Sequence, residues 1–246
     1  MAARDMGRAM HPVVLAGTAP ILLVADHASN HVPDDIALGI DAAMLDEHVA
    51  IDVGTDTLTR ALARRLDAPA VIAGVSRLVI DLNRDVEAAG LVPHLSDGRV
   101  VPGNADLPPG ARAGRVARFH APYHAAIDAA VARHAPRLLV AMHSFTPRLA
   151  TRPDAARPWP VGILYNEDER AARPMIAALR ARGLPVGDNE PYSGRELNYT
   201  MNRHAEARGL PYINIEMRQD ELVDAAAIER WADLLTEAVR ETAARL

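Results

Sequence analysis

The sequence contains no cysteine among its 246 residues. This absence excludes disulfides, thiolate nucleophiles and zinc sites built on sulfur, so a metal site must use histidine nitrogen or carboxylate or amide oxygen. The sequence also lacks an apolar run of roughly 18 to 20 residues, the length that a membrane span requires. Residues 1–17 show no continuous apolar stretch before a cleavage signal. We therefore expect a cytoplasmic protein that does not associate with membranes.

Charge of one sign is not concentrated anywhere in the chain. The formal net charge is −5, and arginine and glutamate are scattered rather than grouped. Because no basic face is indicated, nucleic acid is not an expected partner. Apolar residues make up 49% of the chain, which is enough for a substantial core, and the length suits a single catalytic domain over residues 1–246. The sequence does not indicate an oligomeric state.

Short apolar runs alternate with amphipathic segments along the chain. The apolar runs, predicted to be strands, lie at 21–25, 68–74, 77–82, 137–142, 161–165 and 211–217. The amphipathic segments, predicted to be helices from apolar residues three and four apart, lie at 55–66, 114–134, 167–182, 194–208 and 225–246. This alternation predicts an α/β fold. Two segments rich in residues that break helices and strands, 86–112 with proline and glycine and 146–160 with proline, are predicted to be loops that border a site.

Four of the apolar runs end in polar groups. These endings contribute His27, the pair Asn83 and Arg84, His143, and Glu216 with Arg218. Each residue alone has a structural explanation, since a histidine at a strand end can cap or pack and a glutamate near an arginine can form an ion pair. However, strand ends meet at the ligand-binding edge of an open α/β sheet. Charged groups beside buried strands are costly unless they are paired or functional, so the set favours a metal-hydrolase site.

The chemistry of these residue types suits hydrolysis assisted by zinc. Catalytic zinc takes about three nitrogen or oxygen ligands from the protein and keeps one position open. His27 and His143 are the predicted ligand pair, because each follows an apolar run directly. Glu216 is the candidate general base toward the attacking water. The planar fork of an arginine binds a substrate carboxylate through two parallel hydrogen bonds.

Three further residues each have two open roles. Arg77 could stabilise the developing oxyanion, or it could instead pair with Asp81 or Glu216. His120 and His124 are four residues apart and therefore share one face of a helix. They could contact the site, or they could pack that helix onto the sheet.

Six motifs in a fixed order connect these residues to a known family. They are DHASNHVP, AIDVGTD, SRLVIDLNRD, FHAPYH, HSFTP and NIEMRQD. In this order they resemble the N-formylglutamate amidohydrolase family, itself similar in fold to the zinc carboxypeptidases and aspartoacylases. The resemblance implies a three-layer sandwich with a mixed, mostly parallel central sheet flanked by helices. It also implies a zinc-dependent hydrolase of a small N-acyl amino acid, with N-formylglutamate giving formate and glutamate.

The carboxypeptidase pattern takes its first ligands from His-x-x-Glu and its third from a later histidine at a strand end. In this sequence the match is His27-x-x-Asn30 together with His143. An amide oxygen is a weaker and neutral ligand, so three alternatives remain open. Asn30 ligates the metal, or Asp52 of AIDVGTD replaces it, or the metal affinity is modest.

The same resemblance implies the groups that hold and hydrolyse the substrate. Asn83 and Arg84 match the pair that binds the terminal carboxylate, Arg218 is the next candidate for that role, and Glu216 matches the general base. Two other functions remain open. One is a metallopeptidase or deacylase acting on a larger N-acyl amino acid or peptidoglycan fragment, and the other is a domain that binds amino acids without catalysis.

Overall fold

The computed structural model describes residues 11–246. Residues 1–10 belong to the amino-terminal segment that was expected to carry no cleavable leader, and they lie outside the described residues. Within the described part of the chain, no helix is both long and apolar enough to cross a membrane.

A central sheet organises the fold. Its strands are β1 (Val13–Leu15), β2 (Ile21–Ala25), β3 (Ala70–Ile72), β6 (Leu138–Phe145), β7 (Val161–Leu164), β8 (Val186–Asp188) and β9 (Tyr212–Arg218), and a separate hairpin contains β4 (Leu95–Ser96) and β5 (Arg99–Val100). The seven strands of the sheet lie in the order β1-β3-β2-β6-β9-β7-β8. Strands β3, β2, β6 and β9 run parallel to one another, whereas β1 and β7 pair antiparallel with β3 and β9. The sheet is therefore mixed and mostly parallel, as predicted.

Helices flank this sheet and complete the three-layer α/β sandwich. They are α1 (Thr55–Leu66), α2 (Ala111–Arg115), α3 (Ala121–His134), α4 (Ala172–Ala181), α5 (Tyr199–His204) and α6 (Ala225–Ala243). Helices α1 and α4 both pack against α6, and α3 contacts β2, β3 and α5. In α1, residues Leu58, Leu62 and Leu66 are buried at four-residue spacing, so one apolar stripe fixes this helix to the sheet layer. Asp224 caps the amino end of helix α6, because its carboxylate accepts a hydrogen bond from the backbone N–H of Ala227.

The central strands are buried on both faces, which explains their continuous apolar sequences. Every residue of β2 and of β6 is buried. Strand β6 is longer than β2, and Val24 pairs with Ala141. Two residues beyond this pair, in the direction of both strands, Asp26 and His143 lie side by side just after the end of β2. The register therefore brings polar groups together at the carboxyl edge of the sheet.

The segment 77–82, predicted to be a strand, is instead a buried turn. Its apolar side chains are buried, as they would be in a central strand. Composition alone therefore cannot distinguish a buried turn from a buried strand in this segment. The backbone carbonyls of this turn accept hydrogen bonds from side chains rather than from a neighbouring strand. Asn104 Nδ2 donates to Leu78 O at 2.8 Å, and Arg115 Nη1 donates to Val79 O at 2.9 Å. Side chains distant in sequence therefore satisfy the polar groups that a neighbouring strand would otherwise bind.

Other differences concern short or interrupted elements. The predicted loop 86–112 contains the β4–β5 hairpin and short 3₁₀ turns. The predicted helix 114–134 is divided by a π-helical turn at Val116–His120, next to Pro122, whose ring nitrogen cannot donate a backbone hydrogen bond. The predicted helix 194–208 contracts to α5 and one 3₁₀ turn. Strands β1 and β8, at the two sides of the sheet, have only 3 residues each, which is too short for a periodic pattern.

Candidate active site

Two imidazoles and one carboxylate converge at the carboxyl edge of β2 and β6. His27 Nδ1 lies 3.3 Å from Asp52 Oδ2, and His143 Nδ1 lies 2.9 Å from the same oxygen. All three side chains are buried. Their potential ligand atoms lie within 4.8 Å of one another. Within residues 11–246, this group has the composition and spacing to hold a metal ion.

An outer pair of carboxylates orients both imidazoles. His27 Nε2 lies 2.7 Å from Asp81 Oδ1, and His143 Nε2 lies 3.2 Å from Asp26 Oδ2. Histidines that bind metal commonly direct their second ring nitrogen to a carboxylate, as His27 does through a hydrogen bond and His143 through an ion pair. Each Nδ1 then presents a lone pair toward Asp52 Oδ2, and three such lone pairs repel one another unless a proton or cation lies between them. This donor set fits zinc with an open coordination position.

The surroundings of His27 and His143 shift the pKa values of both imidazoles toward the charged form. Burial by itself would lower the pKa of His27 and of His143, but the surrounding carboxylates reverse the effect and raise both pKa values. The site therefore has a strong electrostatic preference for a positive charge among its carboxylates.

Arg77 bridges the inner and outer carboxylates on one side of this group. Its Nη1 donates to Asp52 Oδ1 at 3.1 Å, and its Nη2 donates to Asp81 Oδ2 at 2.8 Å. Of the roles that the sequence left open, the structure shows the ion pair with Asp81 and extends it to Asp52. Burial would raise the pKa of Asp81, but His27 and Arg77 hold it well below its usual range.

Glu216 lies beside His143 on the neighbouring strand. The register of β6 and β9 pairs these two residues directly. Glu216 is buried, and its Oε2 has no hydrogen-bond partner among the described residues. Burial raises the pKa of this carboxyl group to about 7, with the charge of His143 opposing the rise and that of Asp52 adding to it. A carboxylate with a pKa near neutrality and an unpaired oxygen is suited to accept and return a proton.

Asn30 and Arg218 lie away from this group. Asn30 Nδ2 donates to Asp46 Oδ1 at 2.9 Å, so its amide is not among the groups that face Asp52. Arg218 donates to Asp220 at 2.7 Å and to Glu221 at 3.1 Å, and it does not line the cavity described below. The structure therefore does not bring these two predicted residues to the site. Asp52, the alternative to Asn30, is the carboxylate that lies with His27 and His143 in the group that could hold a metal ion.

A cavity of about 650 Å³ opens above the group. Its polar lining includes His27, Asp52, Arg77, Asp81, Asn83, Arg84, His143, Arg157, Tyr192 and Glu216. The segment 146–160 contributes several lining residues, and the β4–β5 hairpin contributes Ser96. The two predicted loops, 86–112 and 146–160, therefore both border the site, as the sequence predicted.

Two histidines form hydrogen bonds with the backbone of the turn that carries Asn83 and Arg84. His124 Nε2 donates to Leu82 O at 2.9 Å, and His120 Nε2 donates to Arg84 O at 3.0 Å. Asn83 Oδ1 accepts a hydrogen bond from a backbone N–H of α5 at 2.9 Å. His120 and His124 do share one face, and they support the site through this turn rather than by lining the cavity.

Three contributors to the site were not predicted in these roles. Asp26 accepts hydrogen bonds from Tyr123 at 2.7 Å and from Thr200 at 3.0 Å while it faces His143. Tyr192 and Arg157 enter the cavity from irregular segments, where no periodicity indicates the direction of a side chain. The signal for Asp26 was its position directly after a buried strand.

The fold and this group together define a hydrolase-type site at the edge of an α/β sandwich. A family model described as N-formylglutamate amidohydrolase matches residues 19–223, and the chain belongs to this family. It is thus a hydrolase of the N-formylglutamate amidohydrolase type. No curated protein matches the chain.

Solved structures support the same fold. The chain is similar to the gene product Atu2144 from Agrobacterium tumefaciens, with 30% identity, a TM-score of 0.90 and coverage of 96% of this chain and 95% of that one. It is also similar to N-formylglutamate amidohydrolase from Ralstonia eutropha JMP134, with 17% identity, a TM-score of 0.70 and coverage of 95% and 97%. A bacteriophage poly-gamma-glutamate hydrolase shares 11% identity at a TM-score of 0.51, with coverage of 98% and 91%. At these lower identities the last two show the fold alone.

Proposed function

We propose that this protein is a zinc-dependent amidohydrolase that removes a formyl or other small acyl group from an acidic amino acid. N-formylglutamate is the leading substrate, with formate and glutamate as products. The observation that carries the proposal is the buried Glu216, with an unpaired carboxylate oxygen, beside the group His27, Asp52 and His143. Membership of the family supports the choice of substrate.

His27 and His143 would hold the metal through Nδ1, and Asp52 would hold it through Oδ2. Asp81 accepts the outward N–H of His27, and Asp26 forms an ion pair with the outward nitrogen of His143. Bound zinc would supply Lewis acidity, which polarises the acyl carbonyl and lowers the pKa of the attacking water. Cytoplasmic location remains a prediction from the sequence.

The protein's own residues would then move the proton and hold the substrate. Glu216 takes a proton from the attacking water and returns it to the leaving amine, which its near-neutral pKa allows. Arg84 and Asn83 bind the α-carboxylate, since the guanidinium of Arg84 has only a distant ion pair, at 3.9 Å, with Asp81. Both Nη atoms of Arg77 donate to carboxylates. We therefore propose that Arg77 positions Asp52 and Asp81 and does not stabilise the oxyanion.

The proposal is tested by Glu216→Gln, which preserves size and removes the basic oxygen. We expect kcat to fall on the order of 100-fold or more, with zinc content and melting temperature little changed. Glu196→Gln is a matched control, because Glu196 is an exposed glutamate at the outer part of the same cavity. If Glu216→Gln instead lowers the melting temperature and leaves kcat near the wild-type value, Glu216 is a structural ion-pair partner and not the general base.

A deacylase for larger N-acyl amino acids is a second candidate. The cavity of about 650 Å³ favours it, because that volume accommodates more than one small acyl group. Hydrolysis of N-formyl, N-acetyl and N-succinyl forms of Glu, Asp, His and Gln would separate the two activities. A zinc-loaded protein that hydrolyses none of them would favour a domain that only binds amino acids.

A further inference from the structure

Arg157 is a buried cation at the wall of the active-site cavity. It comes from the irregular segment 146–160 and is only 9% exposed. Its guanidinium lies over the ring of Tyr192 at 4.8 Å and near that of Phe145 at 5.8 Å. Its Nη1 donates to Thr146 O and to the Tyr192 hydroxyl, each at 3.1 Å. Two rings and two hydrogen bonds therefore fix the plane of this guanidinium.

The remaining donors of Arg157 have no hydrogen-bond partner in the part of the chain that the structure describes. Among the described residues, no carboxylate pairs with this arginine and no acceptor binds its Nε or Nη2. By contrast, Arg77 and Arg218 each pair with two carboxylates. A buried charge is costly unless it is paired, and the Nε–Nη2 edge of a guanidinium matches the two oxygens of a carboxylate. The unpaired edge of Arg157 is therefore a preformed anion site.

This anion site lies within electrostatic range of the proposed catalytic groups. Burial raises the pKa of Tyr192, the charge of Glu216 adds to the rise, and the charges of Arg157 and Arg77 oppose it. Tyr192 thus lies near all three side chains, and its hydroxyl contacts Arg157 directly. Arg84 lines the same cavity. Besides the exposed Arg152, the cavity therefore offers two buried or half-buried arginines with no close carboxylate partner among the described residues, Arg84 and Arg157. Two such cations match a substrate with two carboxylates.

We propose that Arg157 binds the side-chain carboxylate of an N-acyl dicarboxylic amino acid, while Arg84 binds its α-carboxylate. This inference rests on the proposed function and names the residue that makes the site select acidic over neutral amino acids. The rigid stacking of Arg157 favours this role, because a pre-oriented fork loses little freedom when the carboxylate binds.

The test compares N-formyl-L-glutamate with N-formyl-L-glutamine, which has the same shape but lacks the side-chain charge. In the wild-type enzyme we expect kcat/KM to favour glutamate by about 100-fold, since a site built for a charged partner rejects its neutral analogue. Arg157→Met, which retains the apolar stem, should reduce this ratio by on the order of 10-fold or more, through a higher KM for N-formylglutamate. Activity on N-formylglutamine should change much less.

Two further variants separate the bidentate contact from charge and from folding. Arg157→Lys keeps the charge but loses the fork, so its ratio should lie between those of the wild type and Arg157→Met. Arg152→Gln removes one positive charge from an exposed position lining the same cavity, and its ratio should stay within about twofold of the wild type. Melting temperatures establish that each variant is folded.

The possible results distinguish this inference from the proposed function. Equal losses on both substrates in Arg157→Met would show a structural role and overturn the inference, as would a wild-type enzyme without preference for glutamate. Hydrolysis of either substrate would still support the proposed function in both cases. If neither substrate is hydrolysed, calorimetry with N-acetylglutamate and N-acetylglutamine decides, because only a selective loss of N-acetylglutamate binding in Arg157→Met supports the inference.

Discussion

Asp52 is the residue on which the polar contacts of the site converge. One of its oxygens faces Nδ1 of both His27 and His143, and the other accepts a hydrogen bond from Arg77. Burial would raise the pKa of Asp52, but His27, His143 and Arg77 lower it far below its usual range. Asp52 is therefore a permanent anion between two imidazoles, whereas Asp81 contacts only the far side of one of them.

This difference predicts unequal effects on zinc binding. Asp52→Asn removes an anionic ligand and should weaken zinc affinity by more than about 100-fold, whereas Asp81→Asn removes an outer partner and should cost only about 10- to 100-fold. Asp56→Asn on α1 is the control, because Asp56 pairs with Arg60 outside the site. The measurement is competition for zinc against a chelating dye. Wild-type affinity in Asp52→Asn would remove Asp52 from the ligand set.

The residues of the site were predictable where they directly follow or lie within buried strands. His27, His143 and Glu216 obey this rule, because the strand fixes both the position and the direction of the side chain. Asn30 matched by spacing, but spacing alone could not show that its amide turns toward Asp46. Arg157 comes from an irregular segment, and only the three-dimensional path of that segment places it in the cavity.

At the level of elements, burial on both faces made the central strands predictable. The apolar runs of β2, β6 and β9 are long enough for this signal, and α1 appears with its predicted bounds. The turn at 77–82 has the same composition as a buried strand, and its structure depends on Asn104 and Arg115. Local sequence could not predict this choice, because the deciding hydrogen bonds come from more than twenty residues away.

The chain between β8 and α5 crosses β7 and β8 at very close range. A Cβ added to Gly162 would overlap Glu190 O, and one added to Gly187 would lie 2.5 Å from the same oxygen. Tyr192 follows Glu190 by two residues and lines the cavity. These two glycines therefore allow the backbone approach that places Tyr192, and through its hydroxyl Arg157, at the site.

Gly162→Ala should therefore damage both stability and the cavity. The clash is with backbone rather than with a flexible side chain, so we expect a loss of about 2 to 4 kcal/mol in unfolding free energy. Gly114→Ala is the control, because Gly114 lies in α2 with open space around its Cβ position and should gain about 0.5 to 1 kcal/mol. Chemical denaturation measures both values. Equal stability of the two variants would show that the 189–193 segment moves away at little cost.

At the scale of the whole molecule, the folded state concentrates buried acidic groups around the candidate site. Asp26, Asp52, Asp81 and Glu216 are all buried at one edge of the sheet, and Arg77 balances only part of this charge. The carboxylates raise the pKa values of His27 and His143, so the site favours positive charge on these imidazoles. A divalent cation would compensate more completely. Global stability should therefore depend on zinc, since the unfolded chain does not hold these groups together.

Zinc should accordingly raise the melting temperature of the wild-type protein. At 100 times its dissociation constant, a ligand that binds only the folded state adds about 2.7 kcal/mol, which for a chain of this size corresponds to roughly 5 to 10 °C. Magnesium at equal concentration should have little effect, because it prefers an octahedron of oxygen ligands to a site with two imidazoles. Asp52→Asn should lose the zinc-dependent rise while retaining its cooperative transition. An equal rise in Asp52→Asn would place the stabilising zinc elsewhere on the protein, and no rise in the wild type would contradict a zinc site at this edge of the sheet.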